Sequence, residues 1–368
     1  MLVRMLPGIV IVKPSFICYH KTMFSKIRIE VDRELKAFVR DMDARYRLSS
    51  ISKLLYTGIK DFVLRDGKRI RPILFIVGYL GFSGRKKSGL YRSAVALELL
   101  HDFLLIHDDI IDKSDMRRGK PSMHVILQQG LGSRKRLKFD GKDLAIVVGD
   151  VMYALAIHAF LSIQEDPARK ERALKKFVES AMHTGGGEFI ELLCSKKEFS
   201  TINKRDIYKI YDLKTASYSF ATPLTLGAIL AGASSGQQGL LYRYGISLGR
   251  AFQIKDDIIS LFDEEKKIGK PALCDLQEGK KTLLVWFAYH HSTGKVRSRI
   301  NEILHKRKVT RRDLLAMRKI LVDSGALEYA RQQIQKLINQ AENCIAFCGI
   351  NRRYRMLLSS YAKKLLDT

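Results

Sequence analysis

Three aspartates at helical spacing are the first residues whose types could do chemistry. Asp108, Asp109 and Asp112 close the segment Glu98–Asp112, which is apolar around most of a helix circumference. At about 100° per residue, Asp108 and Asp112 share one face, with Asp109 beside them and His101 two turns earlier. Carboxylates this close in a poorly solvated site repel one another unless cations hold them. Since Mg²⁺ prefers such oxygen ligands, the segment predicts a metal-binding helix.

A second pair of aspartates strengthens this prediction. Asp256 and Asp257 lie on a helical segment whose opposite face is apolar, and Gln253 and Ser260 share their polar face. Two helices that present carboxylates toward each other could hold a cluster of Mg²⁺, and such a cluster would clamp a diphosphate. The alternative, two unrelated acidic patches on solvated surfaces, accounts less well for the duplication.

Basic residues accompany the aspartates. The segment Gly67–Pro72 places three cations beside a helix start, where backbone N–H groups also favour an anion. Further cations lie in Arg117–Lys120, which follows the first aspartate segment, at Lys214 and at Lys270. Together they could hold one diphosphate through Mg²⁺ and a second through cations alone.

These segments match the motifs of a known family. The strings GKRIRP, HDDIIDKSDMRRGKPSMH, VVGD, KTAS, FQIKDD and GKPALCDLQEGKKTL occur in the order found in the trans-isoprenyl diphosphate synthases, which the chain resembles from Met23 to at least Leu284. The resemblance implies an all-α helical bundle of the isoprenoid-synthase type around a deep central cavity, usually a homodimer, that uses Mg²⁺. It implies head-to-tail condensation of isopentenyl diphosphate with dimethylallyl, geranyl or farnesyl diphosphate, with release of diphosphate.

The resemblance also implies roles for individual residues. The metals that hold the allylic diphosphate would be bound by Asp108, Asp112 and Asp256, with Asp109 and Asp257 as close support. The same diphosphate would be contacted by Arg117, Lys214, Gln253 and Lys270, with Thr215 next to it. Isopentenyl diphosphate would be held by Lys68, Arg71, His101 and Arg118. The catalytic residues would be Asp108, Asp112, Lys214, Asp256 and Lys270.

Three residues depart from the family pattern. Ser260 stands where the second motif commonly ends in Asp, which puts its outermost metal contact in doubt. Asp263 lies nearby, and the first Asp of that motif is the expected ligand, so activity is expected to survive. Asp66 replaces a common Gly and Glu188 a frequent Gln, and neither change removes a proposed ligand.

Product length is predicted from the residues before the first aspartate. Phe103 lies five residues before Asp108, about 7.5 Å deeper along a helix, and with Leu100 and Leu97 could form the cavity floor. An aromatic residue there resembles the archaeal-type geranylgeranyl synthases, so the twenty-carbon geranylgeranyl diphosphate is the favoured product. A farnesyl or longer-chain product remains the alternative, as does a Phe103 that is an ordinary core residue.

Composition sets the wider limits. The 368 residues carry 65 Lys and Arg against 38 Asp and Glu, a formal net charge of +27, and a hydrophobic content of 46% argues against a largely disordered chain. Helical patterns follow one another without a linker, so residues 23–368 are predicted to form one all-α domain. Residues 1–22 are interpreted as an N-terminal extension or a misassigned start. The sequence reading also predicts no apolar run long enough to span a bilayer.

Other functions remain as alternatives. A catalytically silent partner subunit would have lost the aspartates or the basic loop, and a terpene cyclase would not need GKRIRP for a second diphosphate. No specific nucleic acid is expected, because the charge alone suggests one and no recognised module accompanies it. Five cysteines without a CxxC pair favour thiols in a reducing cytoplasm. The excess charge in the C-terminal helices suggests peripheral contact with anionic membranes.

Overall fold

The computed structural model describes residues 14–132, 137–262 and 274–365, with side chains from Met23 and, in the last range, from Leu276. Helices form almost all of the regular structure. The first eleven helices are α1 (Pro14–Tyr46), α2 (Leu48–Ile51), α3 (Lys53–Val63), α4 (Ile70–Ser83), α5 (Leu90–Ile111), α6 (Met123–Leu131), α7 (Gly141–Phe160), α8 (Pro167–Ser195), α9 (Lys204–Tyr211), α10 (Thr222–Leu230) and α11 (Ser235–Phe262). The remaining helices are α12 (Cys274–Gln277), α13 (Leu283–His290), α14 (Gly294–Leu304), α15 (Arg311–Asp323), α16 (Ala326–Phe347) and α17 (Arg352–Lys363). The predicted all-α fold is confirmed.

Helix α5 is the central element of the bundle. Apolar residues around it, among them Val95, Leu99 and Ile106, are buried, and it contacts α1, α3, α4, α6 and α7. Helix α4 packs against α10, and α11 packs against α16. Because an apolar helix surface must be covered on most sides, the bundle wraps α5 in neighbours and leaves the carboxylates at its C-terminal end facing a cavity.

A π-helical segment interrupts the chain between α9 and α10. It covers Asp212–Ala221, which includes Lys214 and Thr215, and packs against α8 and α11. Its start is anchored by Arg250, whose Nε donates to Asp212 Oδ1 at 2.6 Å. Since π-helical turns are wider than α-helical ones, they rotate the side chains that follow and are frequent at functional sites.

A short hairpin returns the chain toward α5 after its last turn. Strands β1 (Met116–Arg117) and β2 (Lys120–Pro121) pair antiparallel, and Arg118 between them is left-handed with φ 54°. The guanidinium of Arg65 donates to the carbonyl of Arg117 at 3.2 Å and to that of Pro121 at 2.7 Å. The hairpin is thus tied to the end of α3, which holds its two arginines beside α5.

The first helix begins earlier in the chain than the hydrophobic pattern predicts. Helix α1 begins at Pro14, nine residues before the pattern that starts at Met23, and Pro suits a first helical turn. The assignment of residues 1–22 as an extension stays a prediction.

The expectation that no segment could span a bilayer was wrong by length and composition. Helix α7 has 20 residues and a mean hydropathy of 1.6 over an 18-residue window, because Lys142, Asp143 and Asp150 are its only lysine, arginine, aspartate or glutamate residues. In this structure, 44% of that helix window is buried, and Ala145, Val148 and Met152 lie in the core. A core helix of a folded protein can meet the same criteria of length and hydropathy.

Candidate active site

Carboxylates from two helices meet at one wall of the central cavity. Asp108 and Asp112 line the cavity from the end of α5, and Glu188 lines it from α8. Each offers one carboxylate oxygen, and the three oxygens lie within 4.8 Å of one another. This donor set fits a hard divalent cation. The metal helix predicted from the sequence is therefore joined by a second helix.

The negative charges of Asp108, Asp112 and Glu188 repel one another. Burial, followed by the charges of Asp108 and Glu278, raises the pKa of Asp112 to about 7. Burial also raises the pKa of Glu188 above its ordinary value. A cation between these groups would favour their charged forms, so the electrostatics and the donor chemistry agree.

Asp109 occupies a different position from its two neighbours. Its side chain is fully buried and accepts a hydrogen bond of 2.7 Å from Nε of Arg117. The same guanidinium lies 3.2 Å from Asp108 Oδ2. Asp109 thus orients Arg117 toward the carboxylate cluster, and its role as close support of the metals stays a prediction.

The second aspartate motif forms a hydrogen-bonded chain on α11. Asp256 is exposed and lines the cavity, whereas Asp257 is 5% exposed and accepts a 2.9 Å hydrogen bond from Gln253. Thr215 donates to the amide oxygen of Gln253 at 2.8 Å. The phenol of Tyr211 donates to Asp257 and accepts from the backbone N–H of Leu283. These contacts bring α9, the π segment and α11 together beneath the cavity.

Ser260, the residue that departs from the second motif, is turned toward its own helix. Its hydroxyl donates to the carbonyl of Asp257 at 3.1 Å. Asp263, named above as a nearby carboxylate, lies outside the described residues.

Lys214 bridges the first carboxylate cluster from the π segment. Its ammonium lies 2.6 Å from Glu188, 3.5 Å from Asp108 and in contact with Glu191. Burial opposes its charge, but the charges of Glu191, Asp108 and Glu188 outweigh burial and raise the pKa of Lys214 well above its ordinary value. Lys214 is therefore a permanent cation at the cavity wall.

A second, cationic region lies where α4, α5 and the π segment meet. The Nη2 atom of Arg71 donates to Tyr218 and to Ser219, each at 2.7 Å, while its buried Nε has no hydrogen-bond acceptor among the described residues. His101 Nδ1 lies 3.3 Å from the Tyr218 hydroxyl. Burial, and then Arg71 and Arg118, hold the pKa of His101 well below its ordinary value, so the ring is neutral. A buried N–H without an acceptor is costly and indicates a place for an anion.

Arg118 supplies another uncovered donor to this region. Its Nη2 lies 3.6 Å from Glu98 and 3.5 Å from Asp102, and its buried Nη1 has no acceptor in the part of the chain that the structure describes. Glu98 also accepts from the buried Arg69 at 2.6 Å, and Arg69 adopts a left-handed φ of 51°. Arg69 is thus a structural link between α4 and α5, whereas Lys68 beside it is exposed.

The cavity beside the carboxylate cluster has a volume of about 940 Å³, and Tyr218, which contacts Arg71, lies in its lining. Phe103 and Leu104 line it from α5, and the Phe103 ring lies 5.2 Å from that of Tyr153 on α7. Among the described residues, Leu97 and Leu100 belong to the buried core, at 2% and 3% exposure, and are not part of the cavity lining. Leu100 lies about 60° around the helix from Phe103 and Leu97 about 120°, and both side chains pack into the core instead of reaching the cavity wall.

Comparison with known proteins identifies the family. The model of the polyprenyl synthetase family matches residues 52–321. The chain belongs to the polyprenyl synthetase family. A geranylfarnesyl diphosphate synthase of Aeropyrum pernix is 32% identical over 284 residues, covering 76% of this chain and 83% of the relative. A geranylgeranyl diphosphate synthase of Sulfolobus acidocaldarius is 29% identical over 310 residues, covering 84% and 88%.

Solved structures agree with this polyprenyl synthetase assignment. A geranylgeranyl pyrophosphate synthase from Corynebacterium glutamicum, complexed with isoprenyl diphosphate and magnesium, matches with a TM-score of 0.84 at 26% identity. The match covers 93% of this chain and 98% of that one. As a polyprenyl synthetase, the chain is a trans-prenyltransferase, and its acidic cluster suits the divalent metal that such enzymes use.

The sequence reading and the structure of this polyprenyl synthetase differ at several residues. The structure brings Asp108, Asp112, Lys214, Thr215, Gln253, Asp256 and Asp257 to one cavity. It gathers Arg71, His101 and Arg118 in the cationic region, and it buries Asp109 behind Arg117. Lys270 lies outside the described residues. The sequence did not predict that Glu188 belongs to the carboxylate cluster. It also did not predict the cavity-lining residues Glu191, Tyr211, Tyr218 and Lys280, or Ser219, which accepts from Arg71. Tyr218 and Ser219 follow Lys214 by four and five residues, about one helical turn, and this spacing could have indicated that they lie near the site.

Proposed function

We propose that this polyprenyl synthetase condenses isopentenyl diphosphate with dimethylallyl, geranyl or farnesyl diphosphate, uses Mg²⁺, and forms geranylgeranyl diphosphate. One observation carries the proposal: one cavity is bordered by a carboxylate cluster and adjoins a region with uncovered guanidinium donors. The carboxylates suit a metal-held diphosphate, and the guanidinium groups suit a diphosphate held without metal.

The residues of the chain act by position and charge. Asp108, Asp112 and Glu188 would hold Mg²⁺, which would supply Lewis-acid stabilisation of the leaving diphosphate. Lys214 and Arg117 lie beside those carboxylates and provide N–H donors to the same leaving group, which favours ionisation of the allylic C–O bond. Arg71 and Arg118 hold isopentenyl diphosphate, whose double bond attacks the allylic cation. Loss of a proton, which the released diphosphate can accept, completes the step.

The apolar wall protects the cation from water. Phe103, Leu104 and Leu192 contribute apolar side chains to the cavity lining. Exclusion of water prevents quenching of the allylic cation and strengthens the electrostatic contacts around the leaving group.

Support for the twenty-carbon product comes from Phe103. Its ring packs on Tyr153 and His107 and thereby narrows the cavity beyond the first aspartate. The Sulfolobus relative bears the name of a geranylgeranyl synthase, whereas the Aeropyrum relative bears that of a geranylfarnesyl synthase. A farnesyl or longer product therefore remains the alternative.

A product assay tests the function. Purified protein receives labelled isopentenyl diphosphate, Mg²⁺ and one of the three allylic primers, and the dephosphorylated products are separated by chain length. We expect a twenty-carbon alcohol, and none after chelation of the metal. A product of another length would refute the twenty-carbon product but not the prenyl-transfer function. Absence of incorporation with every primer would favour a catalytically silent partner subunit.

We propose that a second copy of this chain covers an apolar face of α8. Met182, Phe189 and Leu193 are 64%, 64% and 51% exposed and recur at helical spacing on one face. Ile146 and Val147 on α7 are also exposed. Apolar side chains arranged in this way favour a protein interface, and a homodimer is the family's usual assembly.

We also propose a cytoplasmic enzyme that touches anionic membranes. Cys194, Cys344 and Cys348 carry free thiols, which suit a reducing compartment. Exposed basic residues of the C-terminal helices would attract anionic lipid, and they include Lys295, Arg297, Arg307, Lys308, Arg311 and Arg312.

A further inference from the structure

Glu188 has a position that the metal motifs do not account for. It lies on α8, whereas the aspartates of the first motif lie on α5, yet its carboxylate forms part of the same group of three oxygens within 4.8 Å. Its side chain is 17% exposed and faces the cavity. Two helices therefore contribute oxygens to one point of the wall.

The local charges leave this point strongly negative. Lys214 and Arg117 lie within 4 Å of the cluster and supply two positive charges. The carboxylates that they contact, together with the third member of the cluster, are Asp108, Asp109, Asp112, Glu188 and Glu191. The Lys280–Glu278 ion pair, whose charges also act on Asp112, adds no net charge. Five carboxylates against two cations, in a partly buried wall, need further positive charge.

Glu191 provides an internal comparison. It is on the same helix as Glu188, one turn away, and it also contacts Lys214. It is not a member of the three-oxygen group among the described residues. If the acidic residues of α8 only held Lys214, Glu188 and Glu191 would be equivalent; the oxygen geometry separates them.

We propose that Glu188 is a direct ligand of the divalent metal held by Asp108 and Asp112, so that the first metal site joins α5 to α8 and forms before a diphosphate arrives. The proposal rests on the metal-dependent function above. A glutamate oxygen that carries full charge is a stronger ligand for a hard cation than a neutral amide oxygen, so Glu188→Gln weakens the site while preserving its shape.

Binding of Mn²⁺ to the full chain, followed by electron paramagnetic resonance without any diphosphate, tests this assignment. The wild type is compared with Glu188→Gln, Glu191→Gln and Asp112→Asn. We expect Glu188→Gln and Asp112→Asn each to raise the Kd about tenfold or more, and Glu191→Gln to change it less than about threefold. Circular dichroism melting curves establish that each variant is folded.

The outcomes separate this proposal from the general function. Equal Mn²⁺ affinity of wild type and Glu188→Gln would overturn the ligand assignment, even if the wild type elongates prenyl chains. No Mn²⁺ binding by the wild type without diphosphate would also overturn it. Tight binding that Glu188→Gln weakens, in a protein that transfers no prenyl group, would support the ligand and refute the proposed function.

Discussion

Arg71 connects the cationic region with the π segment through Tyr218 and Ser219. Its buried Nε has no acceptor in the described structure, so an incoming diphosphate would satisfy a donor that is otherwise costly. We predict that Arg71→Gln raises the KM for isopentenyl diphosphate about tenfold or more, because a charge-assisted hydrogen bond contributes roughly 1.5–3 kcal/mol. Steady-state kinetics with each substrate varied in turn would measure it.

The control for Arg71 is Arg85→Gln, an exposed arginine beyond the end of α4. It should leave both KM values unchanged. An equal rise of the allylic KM in Arg71→Gln would contradict the assignment of this region to isopentenyl diphosphate.

Asp102 makes stability depend on pH. Burial, and then the charge of Glu98, raises its pKa to about 8, and neither carboxylate oxygen has a hydrogen-bond partner within residues 14–132, 137–262 and 274–365. The folded protein thus keeps a proton that the unfolded chain releases near pH 4, so the contribution of Asp102 to stability falls as pH rises from about 4 to about 8. Asp102→Asn removes this dependence.

We predict that Asp102→Asn melts at a higher temperature than the wild type at pH 8 and that the difference shrinks at pH 5. A change of 1 kcal/mol corresponds to about 2 °C or more in a large domain. Melting curves at both pH values check this, and parallel pH profiles of the two proteins would refute the effect.

For individual residues, the sequence predicts which side chains could bind a metal or a diphosphate better than it predicts which of them lie in contact. Asp108, Asp112 and Lys214 are predictable because their spacing and charge are local properties. Glu188 is not, since its membership in the cluster depends on where α8 crosses α5. The burial of Asp109 depends likewise on the hairpin that brings Arg117 back to it.

At the scale of elements, α7 supports the cavity wall that α5 forms at Phe103. Phe103 on α5 and Tyr153 on α7 have ring centroids 5.2 Å apart at its apolar wall. We predict that Phe103→Ala lengthens the product, because removal of the ring opens space beyond the twentieth carbon. Chain-length profiles of the dephosphorylated products would measure the change.

Leu100→Ala is the matched control for Phe103. Leu100 lies one turn earlier on α5 but is buried in the core. Its truncation should cost about 2–5 kcal/mol of stability without changing the product. Lengthening by Leu100→Ala would restore the floor predicted from spacing, and an unchanged profile in Phe103→Ala would refute the role of the ring.

The helices themselves were largely predictable, but the π segment was not. Hydrophobic spacing indicates a helix, yet it does not distinguish i→i+4 from i→i+5 hydrogen bonds over Asp212–Ala221. The direction of Tyr218 toward His101 follows from that local geometry. Hydrophobic periodicity could therefore not predict that Tyr218 contacts Arg71 and His101.

For the whole molecule, the exposed face of α8 predicts the assembly state. Phe189→Glu places a charge in the proposed interface and should convert a dimer to a monomer in analytical ultracentrifugation. Leu315→Glu on α15 is the control, because Leu315 is also exposed, at 54%. A wild type that sediments as a monomer would refute the dimer.

The charge of +27 permits a second test at this scale. Vesicles with anionic lipid should bind the protein more tightly than neutral vesicles at physiological salt. Each exposed basic residue near the surface contributes about 1 kcal/mol, so Arg311→Gln with Arg312→Gln should weaken binding roughly tenfold or more. The pair Lys53→Gln and Lys60→Gln on α3 is the control. Equal binding to both vesicle types would refute membrane contact.

The crossing of α4 and α10 depends on two glycines. A Cβ at Gly78 would lie 2.2 Å from the carbonyl oxygen of Leu224, and one at Gly227 would lie 2.2 Å from that of Phe75. This close backbone approach lies two helical turns from Arg71 and fixes how near α4 comes to the segment that carries Ser219. A chimera that joins α4 of one relative to α10 of another will thus keep the second diphosphate site only if small residues face each other at this crossing.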